Sequence, residues 1–411
     1  MRHNEATVPE SAGPMIKLSE LPSIESERRH VPGHQIIHRD LASTDEIDAL
    51  IDAHAPVSCS TSSGKDSVAM ALAVDAYLNH RGHKGPRLLI YADLGMVEWE
   101  ESLQINQELA ARLGWELQVV RRAAGGLMER WESRWESSVR RYANLETVTL
   151  VLPWSGPALK FCTSELKTKP LTSYLVKRFR GGPIINVTGI RRAESSNRQH
   201  ATAGGYEPGH STKQTSMFSW RPIVNWSARD DFQVIEAAGL RPHPGYTEYS
   251  MQRLSCRFCV LANLSDLQHS AANPAHADLY RRMVDLEIRS TFGFQGARWL
   301  GDVAPSLLTE HQRSALAQAK ANAATRKQIE GTIDRSLLYV AGWPTRLPSR
   351  QEAELLAGVR KRVAELVGIQ ARYQDAQSIV ERYEELIATR EAKALRKSPS
   401  RQARQQMLAA A

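Results

Sequence analysis

The sequence predicts an α/β protein built on a doubly wound parallel sheet, with a helical C-terminal extension. Two continuous apolar runs, at residues 87–93 and 184–188, are typical of strands that are buried on both faces. Helical patterns at residues 66–78 and 99–113 follow predicted strands, and strands that alternate with helices form parallel sheets. Ligands of such sheets bind at the carboxyl ends of the strands. We therefore expect the functional site at that edge.

Composition is that of a globular protein with a substantial core, since 42% of the 411 residues are hydrophobic. No run of eighteen apolar residues occurs, and the first thirty residues lack the apolar centre of a signal peptide, so we expect a cytoplasmic protein without a membrane partner. The net charge of +8 and the pI near 9.3 suit a polyanionic partner. They suit an enzyme for anionic nucleotides equally well.

The chain divides into three predicted segments. Residues 1–44 form a polar leader, residues 45–262 a nucleotide-binding α/β domain, and residues 263–411 a helical region with a basic tail. Six basic residues and one acidic residue lie between Arg390 and Arg404. This tail either contacts nucleic acid or is simply solvated.

Three tryptophans, at positions 131, 135 and 154, lie in a charged segment that we expect to cover the edge of the sheet. Such side chains can stack on a base, but packing beneath a long connection is their more common use. We therefore expect all three to be buried.

Residues 56–67, with the sequence PVSCSTSSGKDS, predict a strand, a turn of small residues and a helix from about Asp66. The amino end of a helix offers free N–H groups and a positive dipole to phosphate, and Lys65 adds a charge. A Walker A loop would need Gly at position 59 and Ser or Thr at position 66, so Cys59 and Asp66 exclude it. The alternative is that Ser63 and Asp66 only cap the helix.

This loop resembles the pyrophosphate-binding loop (PP-loop) of the ATP pyrophosphatase superfamily, although Ser63 stands where that family usually has Gly. The superfamily includes phosphoadenylylsulfate (PAPS) reductases, tRNA thiolation enzymes and DNA phosphorothioation enzymes. Four further segments are similar to its PAPS reductase-like branch, in the same order: the Asp93-Leu94-Gly95 turn, with Leu in place of Thr; Cys162 to Pro170; Gly189 to Arg198; and Pro222 to Trp226 with Cys256 and Cys259. The resemblance implies an adenine nucleotide alpha hydrolase-like fold.

The resemblance also implies roles for individual residues. Nucleotide binding falls to Ser62, Ser63, Gly64, Lys65, Asp66, Ser67, Asp93, Gly189, Arg191, Glu194 and Arg198, and catalysis to Lys65, Asp66, Lys167 and Arg191. Asp66 is the implied Mg²⁺ ligand, with Asp93 as a second candidate. Arginines that flank a Glu-Ser pair can offer forked donors to phosphate or sulfate, although the same pattern also suits an exposed, salt-bridged helix start.

Three cysteines are candidate metal ligands. Cys256 and Cys259 are spaced so that both sulfurs can reach one soft metal centre, and Cys162 lies in a segment that the resemblance puts beside the active site. Three alternatives remain open: a [4Fe–4S] cluster with one open iron, zinc with a histidine such as His243, or a metal-free dithiol. We expect Cys59, in the strand before the loop, to be a core thiol.

The leading hypothesis is an ATP pyrophosphatase that adenylates an acceptor, which is DNA, tRNA or a small molecule, so that sulfur from a cysteine desulfurase can displace AMP. ATP and Mg²⁺ are then the cofactors, with a [4Fe–4S] cluster as a further candidate. The rival is a sulfonucleotide reductase, which needs a mobile nucleophilic cysteine near its carboxyl end. The last cysteine here is Cys259, and Phe161 precedes Cys162 where cluster-containing reductases have a Cys-Cys pair. A third possibility is a non-catalytic nucleic-acid-binding subunit.

Overall fold

The computed structural model describes residues 41–397 and contains a six-stranded sheet with the order β3-β2-β1-β4-β6-β5. All neighbouring strands pair in parallel except β5, which runs antiparallel to β6. The strands are β1 Val57–Thr61, β2 Arg87–Asp93, β3 Glu116–Arg121, β4 Pro183–Thr188, β5 Gly204–Tyr206 and β6 Ser216–Trp220. The predicted class, a doubly wound α/β sheet, is confirmed. Residues 1–40 of the predicted leader lie outside the described residues.

Seven α-helices accompany the sheet. They are α1 Asp45–Asp52, α2 Lys65–His80, α3 Glu101–Leu113, α4 Leu127–Ala143, α5 Phe161–Thr163, α6 Lys169–Arg178 and α7 Ala228–Ala237. A π-helical turn, Ser164–Thr168, joins α5 to α6. Thr44 caps α1, because its side chain accepts a hydrogen bond from the Ile47 N–H.

Six further helices form the C-terminal part of the described chain: α8 Pro244–Thr247, α9 Leu264–Ala272, α10 Ala277–Ser290, α11 Glu310–Glu330, α12 Arg350–Val367 and α13 Ala376–Lys397. Apart from the short α8, they share one apolar core with α4. Trp131, Trp135 and Trp154 are buried in this core, as predicted. No helix among residues 41–397 is long and apolar enough to cross a membrane.

Two apolar layers cover the sheet. On one face, α2 and α7 pack against β1 and β4, and buried Cys59 belongs to this layer, as predicted for a core thiol. On the other face, Leu171 and Leu175 of α6 pack against β2, β3 and β4. Because residues of a strand alternate between faces, β1 sends Cys59 into the first layer and Ser60 toward the second.

The topology fixes where the site lies. β1 has β2 on one side and β4 on the other, so successive crossovers leave β1 in opposite directions. This is the switch point at which doubly wound sheets bind ligands, outside the carboxyl ends of the strands. The loops that follow β1 and β4, which begin at Ser62 and Gly189, therefore meet there.

Candidate functional site

The loop between β1 and α2 forms the predicted phosphate-binding turn. Ser62 donates its backbone N–H to Ser67 Oγ at 3.0 Å, and Ser67 Oγ donates to the Gly64 carbonyl at 2.9 Å. The backbone N–H groups of Ser63, Gly64 and Asp66 have no acceptor within the described chain. Free N–H groups at the positive end of a sixteen-residue helix form an anion site.

Ser63, which stands where the family has Gly, adopts a left-handed conformation with φ of 59°. Its buried hydroxyl donates to the Ser62 carbonyl at 2.5 Å and lies 2.9 Å from Ser102 Oγ on α3. These bonds offset the cost of a left-handed non-glycine residue, which is roughly 1 kcal/mol. The side chain thus faces the interior, and only the backbone of Ser63 faces the anion site.

A cluster of two bases and two acids surrounds the start of α2. Lys65 Nζ lies 2.9 Å from Asp66 Oδ2, and Arg191 Nε pairs with Asp66 Oδ1. The same Arg191 Nε lies 3.0 Å from Asp231 Oδ2 on α7, in an ion pair that lacks hydrogen-bond alignment. Asp231 is completely buried. The structure brings together Lys65, Asp66 and Arg191, which the sequence analysis named as site residues, and adds Asp231, to which it gave no site role.

The two carboxyl groups influence each other. Burial raises the pKa of Asp231, and hydrogen bonding to Asp66 and the charge of Asp66 raise it further, to about 8. Burial would also raise the pKa of Asp66, but its bond to Asp231 and the charges of Lys65 and Arg191 hold it below its usual value. Asp66 is therefore the ionised member. Both oxygens of Asp66 pair with cationic side chains. To bind Mg²⁺, Asp66 would therefore have to give up at least one of these partners.

Gly189 brings the loop after β4 against the phosphate-binding turn. A Cβ at this position would lie 2.6 Å from the Asp66 carbonyl oxygen, so only glycine permits the approach. Beyond it, Glu194 pairs with Arg198. Burial and the charges of Arg253 and Arg191 lower the pKa of Arg198. Cationic side chains are thus concentrated beside the anion site.

Tyr246 of α8 contacts the phosphate-binding turn at Lys65. The Lys65 backbone N–H donates to its hydroxyl at 3.3 Å, and Lys65 Nζ lies 5.6 Å from the centre of its ring. Tyr246 lies in the short Pro244-Gly245-Tyr246 sequence, and nothing local to that sequence indicates a contact with Lys65. Lys65 and Tyr246 are 181 positions apart in the sequence, so no periodic pattern could indicate this pairing.

A cavity of about 430 Å³ lies on the α6 side of the sheet, next to the switch point. Ser60, Asn186 and Thr188 form part of its polar floor, and Lys167 lines its wall. The Ser60 hydroxyl donates to Asn186 Oδ1 at 2.9 Å across β1 and β4. Its volume lies within the range of small-ligand sites, which are typically about 300–1,000 Å³.

Cys162, Cys256 and Cys259 occupy one neighbourhood around Lys167. Burial acts to lower the pKa of Lys167, but the negative charges of Cys256, Glu98, Cys259 and Cys162 outweigh it, and the pKa is raised. The Leu261 N–H donates to Cys259 Sγ at 3.4 Å.

The cysteines are close without forming a coordination shell. Within the described chain, no group of three or more His, Cys, Asp or Glu side chains is arranged to hold a metal ion. His243, named above as a zinc alternative, accepts a hydrogen bond at Nδ1 from the Gly245 N–H at 2.9 Å, and its Nε2 lies 3.5 Å from Ser102 Oγ. Both ring nitrogens of His243 are thus directed at other partners.

Asp93 lies apart from Asp66. Its Oδ1 accepts the Gly95 N–H at 2.7 Å, and its Oδ2 pairs with Arg121. It lines a second cavity, of about 370 Å³, together with Glu98 and other residues at the end of β2. The structure therefore gives Asp93 a role in the turn after β2 and brings no second carboxylate from β2 to Asp66.

A comparison with known protein families finds a match over the part of the chain that contains this site. The model of the phosphoadenosine phosphosulfate reductase domain matches residues 56–261, from the start of β1 through the last cysteine. An uncharacterized 37.8 kDa protein from the gpa 5′ region of Escherichia phage 186 is 27% identical over 240 residues, which are 51% of this chain and 68% of the phage protein.

Two solved structures overlap partly with the fold. The PAPS reductase of Candida auris, in a phosphate complex, is 14% identical with a TM-score of 0.33 and covers 53% of this chain and 97% of its own. The U34-tRNA thiolase NcsA of Methanococcus maripaludis, with its [4Fe-4S] cluster, is 12% identical with a TM-score of 0.32 and covers 68% of this chain and 79% of its own. Overlaps this small carry no argument about activity.

A phosphate-binding loop at the switch point of a doubly wound sheet defines a nucleotide-binding α/β protein. More particularly, because the domain model spans half of its length, the chain belongs to the phosphoadenosine phosphosulfate reductase domain family. This is an enzyme family that combines nucleotides with sulfur chemistry.

Proposed function

We propose that the protein is the ATP pyrophosphatase component of a sulfur-transfer system. In this reaction an oxygen of the acceptor, a nucleic acid phosphate, attacks the α-phosphorus of ATP, and pyrophosphate leaves. A sulfur nucleophile, supplied through a cysteine desulfurase, then displaces AMP from the activated acceptor. The energy for sulfur insertion thus comes from the cleaved phosphoanhydride bond.

The phosphate-binding turn is the observation that carries the proposal. Its free N–H groups at Ser63 and Gly64 sit at the amino end of α2, and Lys65 stands beside them. Donors held in place before the reaction stabilise the charge that develops on the leaving pyrophosphate. The neighbouring 430 Å³ cavity has the size for a nucleoside.

Lys65 pairs with Asp66, so phosphate binding would exchange one anionic partner of Lys65 for another. Mg²⁺ would arrive with the nucleotide, whose phosphates would supply ligands in addition to Asp66. Arg191, buried between Asp66 and Asp231, would hold Asp66 in position from behind.

The second candidate is a sulfonucleotide reductase, which the family name itself favours. In that reaction a cysteine thiolate attacks the sulfur of PAPS or adenylyl sulfate. Here Cys162 and Cys256 pack against the apolar core, and residues 260–411 contain no cysteine. The mobile nucleophile that this reaction needs has no counterpart there, so adenylation is the better supported reaction.

The decisive experiment incubates the purified protein with α-labelled ATP and Mg²⁺, with and without DNA or tRNA, and separates the products. We expect AMP and pyrophosphate from the wild type. Lys65→Ala should reduce the rate roughly tenfold to a hundredfold, since a charge-assisted contact contributes about 1.5–3 kcal/mol.

Lys84→Ala is the matched control, because Lys84 is exposed and remote from the turn. Release of ADP and phosphate would refute the pyrophosphatase reaction. Formation of sulfite from PAPS with a thiol donor would establish the reductase, and no turnover in any arm would leave the nucleic-acid-binding role.

The three clustered cysteines extend the proposal to a [4Fe–4S] cluster. Cys162, Cys256 and Cys259 would supply the thiolates, and the cluster would offer an iron to sulfur. The N–H···S bond to Cys259 and the cation at Lys167 favour thiolates, whereas burial and the charge of Glu98 raise the pKa of Cys256, so a metal would have to displace the proton of that thiol. The side chains would have to close in from their described positions.

We expect protein purified without oxygen to contain iron and sulfide, measured by chemical assay and visible absorption, and Cys256→Ser to lose both. Cys59→Ala is the control, because Cys59 is a buried core thiol and its substitution should leave the iron content unchanged. Colourless anaerobic protein with stoichiometric zinc, or with no metal, would contradict the cluster.

A further inference from the structure

Charge is segregated on the two sides of α4. Its acidic side chains Glu129 and Glu132 pair with Arg282 of α10, and Glu132 also approaches Arg289. This side joins α4 to the helical region and its charges are balanced. The other side of α4 is different.

Three arginines lie on that other side. Arg130, Arg134 and Arg141 follow one another at spacings of four and seven residues, which puts them on one face of a helix. The guanidinium carbons of Arg130 and Arg134 lie 4.8 and 5.0 Å from the centre of the Phe161 ring, so both groups stack on the same aromatic residue.

Arg130 is neutralised by Glu165, which accepts from its Nε at 2.6 Å and its Nη2 at 3.0 Å. Arg134 Nε donates to the Leu152 carbonyl at 2.9 Å, and among residues 41–397 neither Arg134 nor Arg141 forms an ion pair with a carboxylate. Burial and the positive charges of Arg130 and Arg141 lower the pKa of Arg134. Half-buried like charges repel one another, and a bound polyanion relieves that repulsion.

The face has the dimensions of a nucleic acid backbone. From Arg130 to Arg141 the helix rises about 16 Å, which spans several phosphates at about 3.4 Å per nucleotide of one strand. The proposed function assigns the phosphates of ATP to the turn before α2, so ATP does not need this face. Phe161, on which the arginines stack, directly precedes Cys162, so an anion on this face lies beside the cysteine cluster.

We propose that Arg134 and Arg141 bind the sugar–phosphate backbone of the nucleic acid acceptor, with the buried Phe161 and the Glu165-paired Arg130 packed against them as support. The identification of this ligand as the acceptor rests on the proposed function. The binding surface itself rests on the charge, the spacing and the stacking of these side chains.

The test measures binding of a fluorescein-labelled 20-base-pair duplex DNA, and of the matching RNA hairpin, by anisotropy between 50 and 200 mM NaCl. Neither ATP nor Mg²⁺ is added. Arg134→Gln/Arg141→Gln should weaken binding by roughly tenfold or more and reduce the slope of log K against log salt by about 1–2, since each phosphate contact contributes about 0.9.

Arg140→Gln is the control matched to Arg134→Gln alone, because Arg140 is exposed on the acidic side of the same helix and each of these variants removes one positive charge. Circular dichroism and thermal unfolding verify the fold, and Arg134→Gln alone replaces the double variant if the latter unfolds. The probe whose affinity falls more in the arginine variants identifies whether the bound backbone is that of DNA or of RNA.

Affinity and slope that are equal in the wild type and in the arginine variants, or that fall equally in Arg140→Gln, would overturn the proposal. The outcome is separate from that of the proposed function, because the binding assay contains no ATP. If the wild type cleaves no ATP, the pyrophosphatase reaction is refuted. If the arginine variants nevertheless show a reduced salt slope, the binding surface on α4 is retained.

Discussion

His243 illustrates how one buried side chain organises the segment above the nucleotide site. It is 1% exposed and caps α8, accepting the Gly245 N–H at Nδ1. Its ring meets the edge of Trp99 at 5.7 Å between centroids. Burial lowers the pKa of His243 to about 4, so the imidazole is neutral in the folded protein at neutral pH.

This lowered pKa makes the fold sensitive to acid. The unfolded chain takes up a proton near pH 6.5 and the folded chain only near pH 4, so the contribution of His243 is complete above pH 6.5 and is lost as the pH falls. Between pH 7 and pH 5 the free energy of unfolding should drop by about 2 kcal/mol from this group. Urea unfolding at the two pH values measures the drop.

His243→Asn is the informative variant, because an Asn oxygen also caps the helix but does not titrate. The variant should lose about 2 kcal/mol less than the wild type between the same two pH values. Other acid-sensitive groups act equally in both proteins and cancel in the difference. Identical pH dependence in the two proteins would assign the acid sensitivity elsewhere.

The individual site residues divide into those that local sequence could predict and those that only packing reveals. Lys65, Asp66 and Arg191 follow directly after strands, and the strand rule alone brings them to one edge. Asp231 lies on a helix whose position depends on packing against α2. No spacing within the sequence could indicate that its buried carboxyl group would meet Arg191.

Among the helices and strands, the strongest sequence patterns gave correct predictions, and the strands with the weakest patterns were not predicted. The continuous apolar runs became β2 and β4, and the segment with the tryptophans became α4 and the connection after it. The sequence analysis did not predict β5 or β6. β5 contains two glycines in three residues, and neither strand has the length or the alternation that marks a strand by itself.

The connection from α10 to α11 shows order that no periodic pattern could predict. Glu287, fully buried, accepts the backbone N–H groups of Phe294, Leu300 and Gly301 at 2.7, 2.7 and 3.0 Å. One carboxylate thus satisfies three donors of a loop that has no sheet or helix partner for them. Its function is structural, since it lies among apolar side chains and away from the site.

For the whole molecule, the helical region is continuous with the nucleotide-binding domain. Arg360 of α12 is completely buried and donates to the carbonyls of Tyr142 and Arg372 at 2.9 and 2.7 Å. A cation at the carboxyl end of α4 also complements the helix dipole. The surface proposed on α4 is therefore held by the C-terminal helices.

The basic tail gives the last prediction. Of its six basic residues, Arg390 donates to the Pro344 carbonyl and Lys393 lies 4.8 Å from the Trp343 ring centre. Arg401 and Arg404 lie outside the described residues. If the tail contacts nucleic acid, truncation after Thr389 should lower DNA affinity and flatten the salt slope, by about 0.9 for each phosphate released.

Truncation after Lys397 separates charge from structure, because it removes Arg401 and Arg404 and leaves the contacts of Arg390 and Lys393 in place. Its slope should lie between those of the full chain and the shorter truncation, with ATP cleavage unchanged. If the tail and the α4 surface contact nucleic acid independently, their effects on binding free energy should add. Equal affinity and slope in all three proteins would leave the tail as a solvated extension and assign nucleic acid binding to α4 alone.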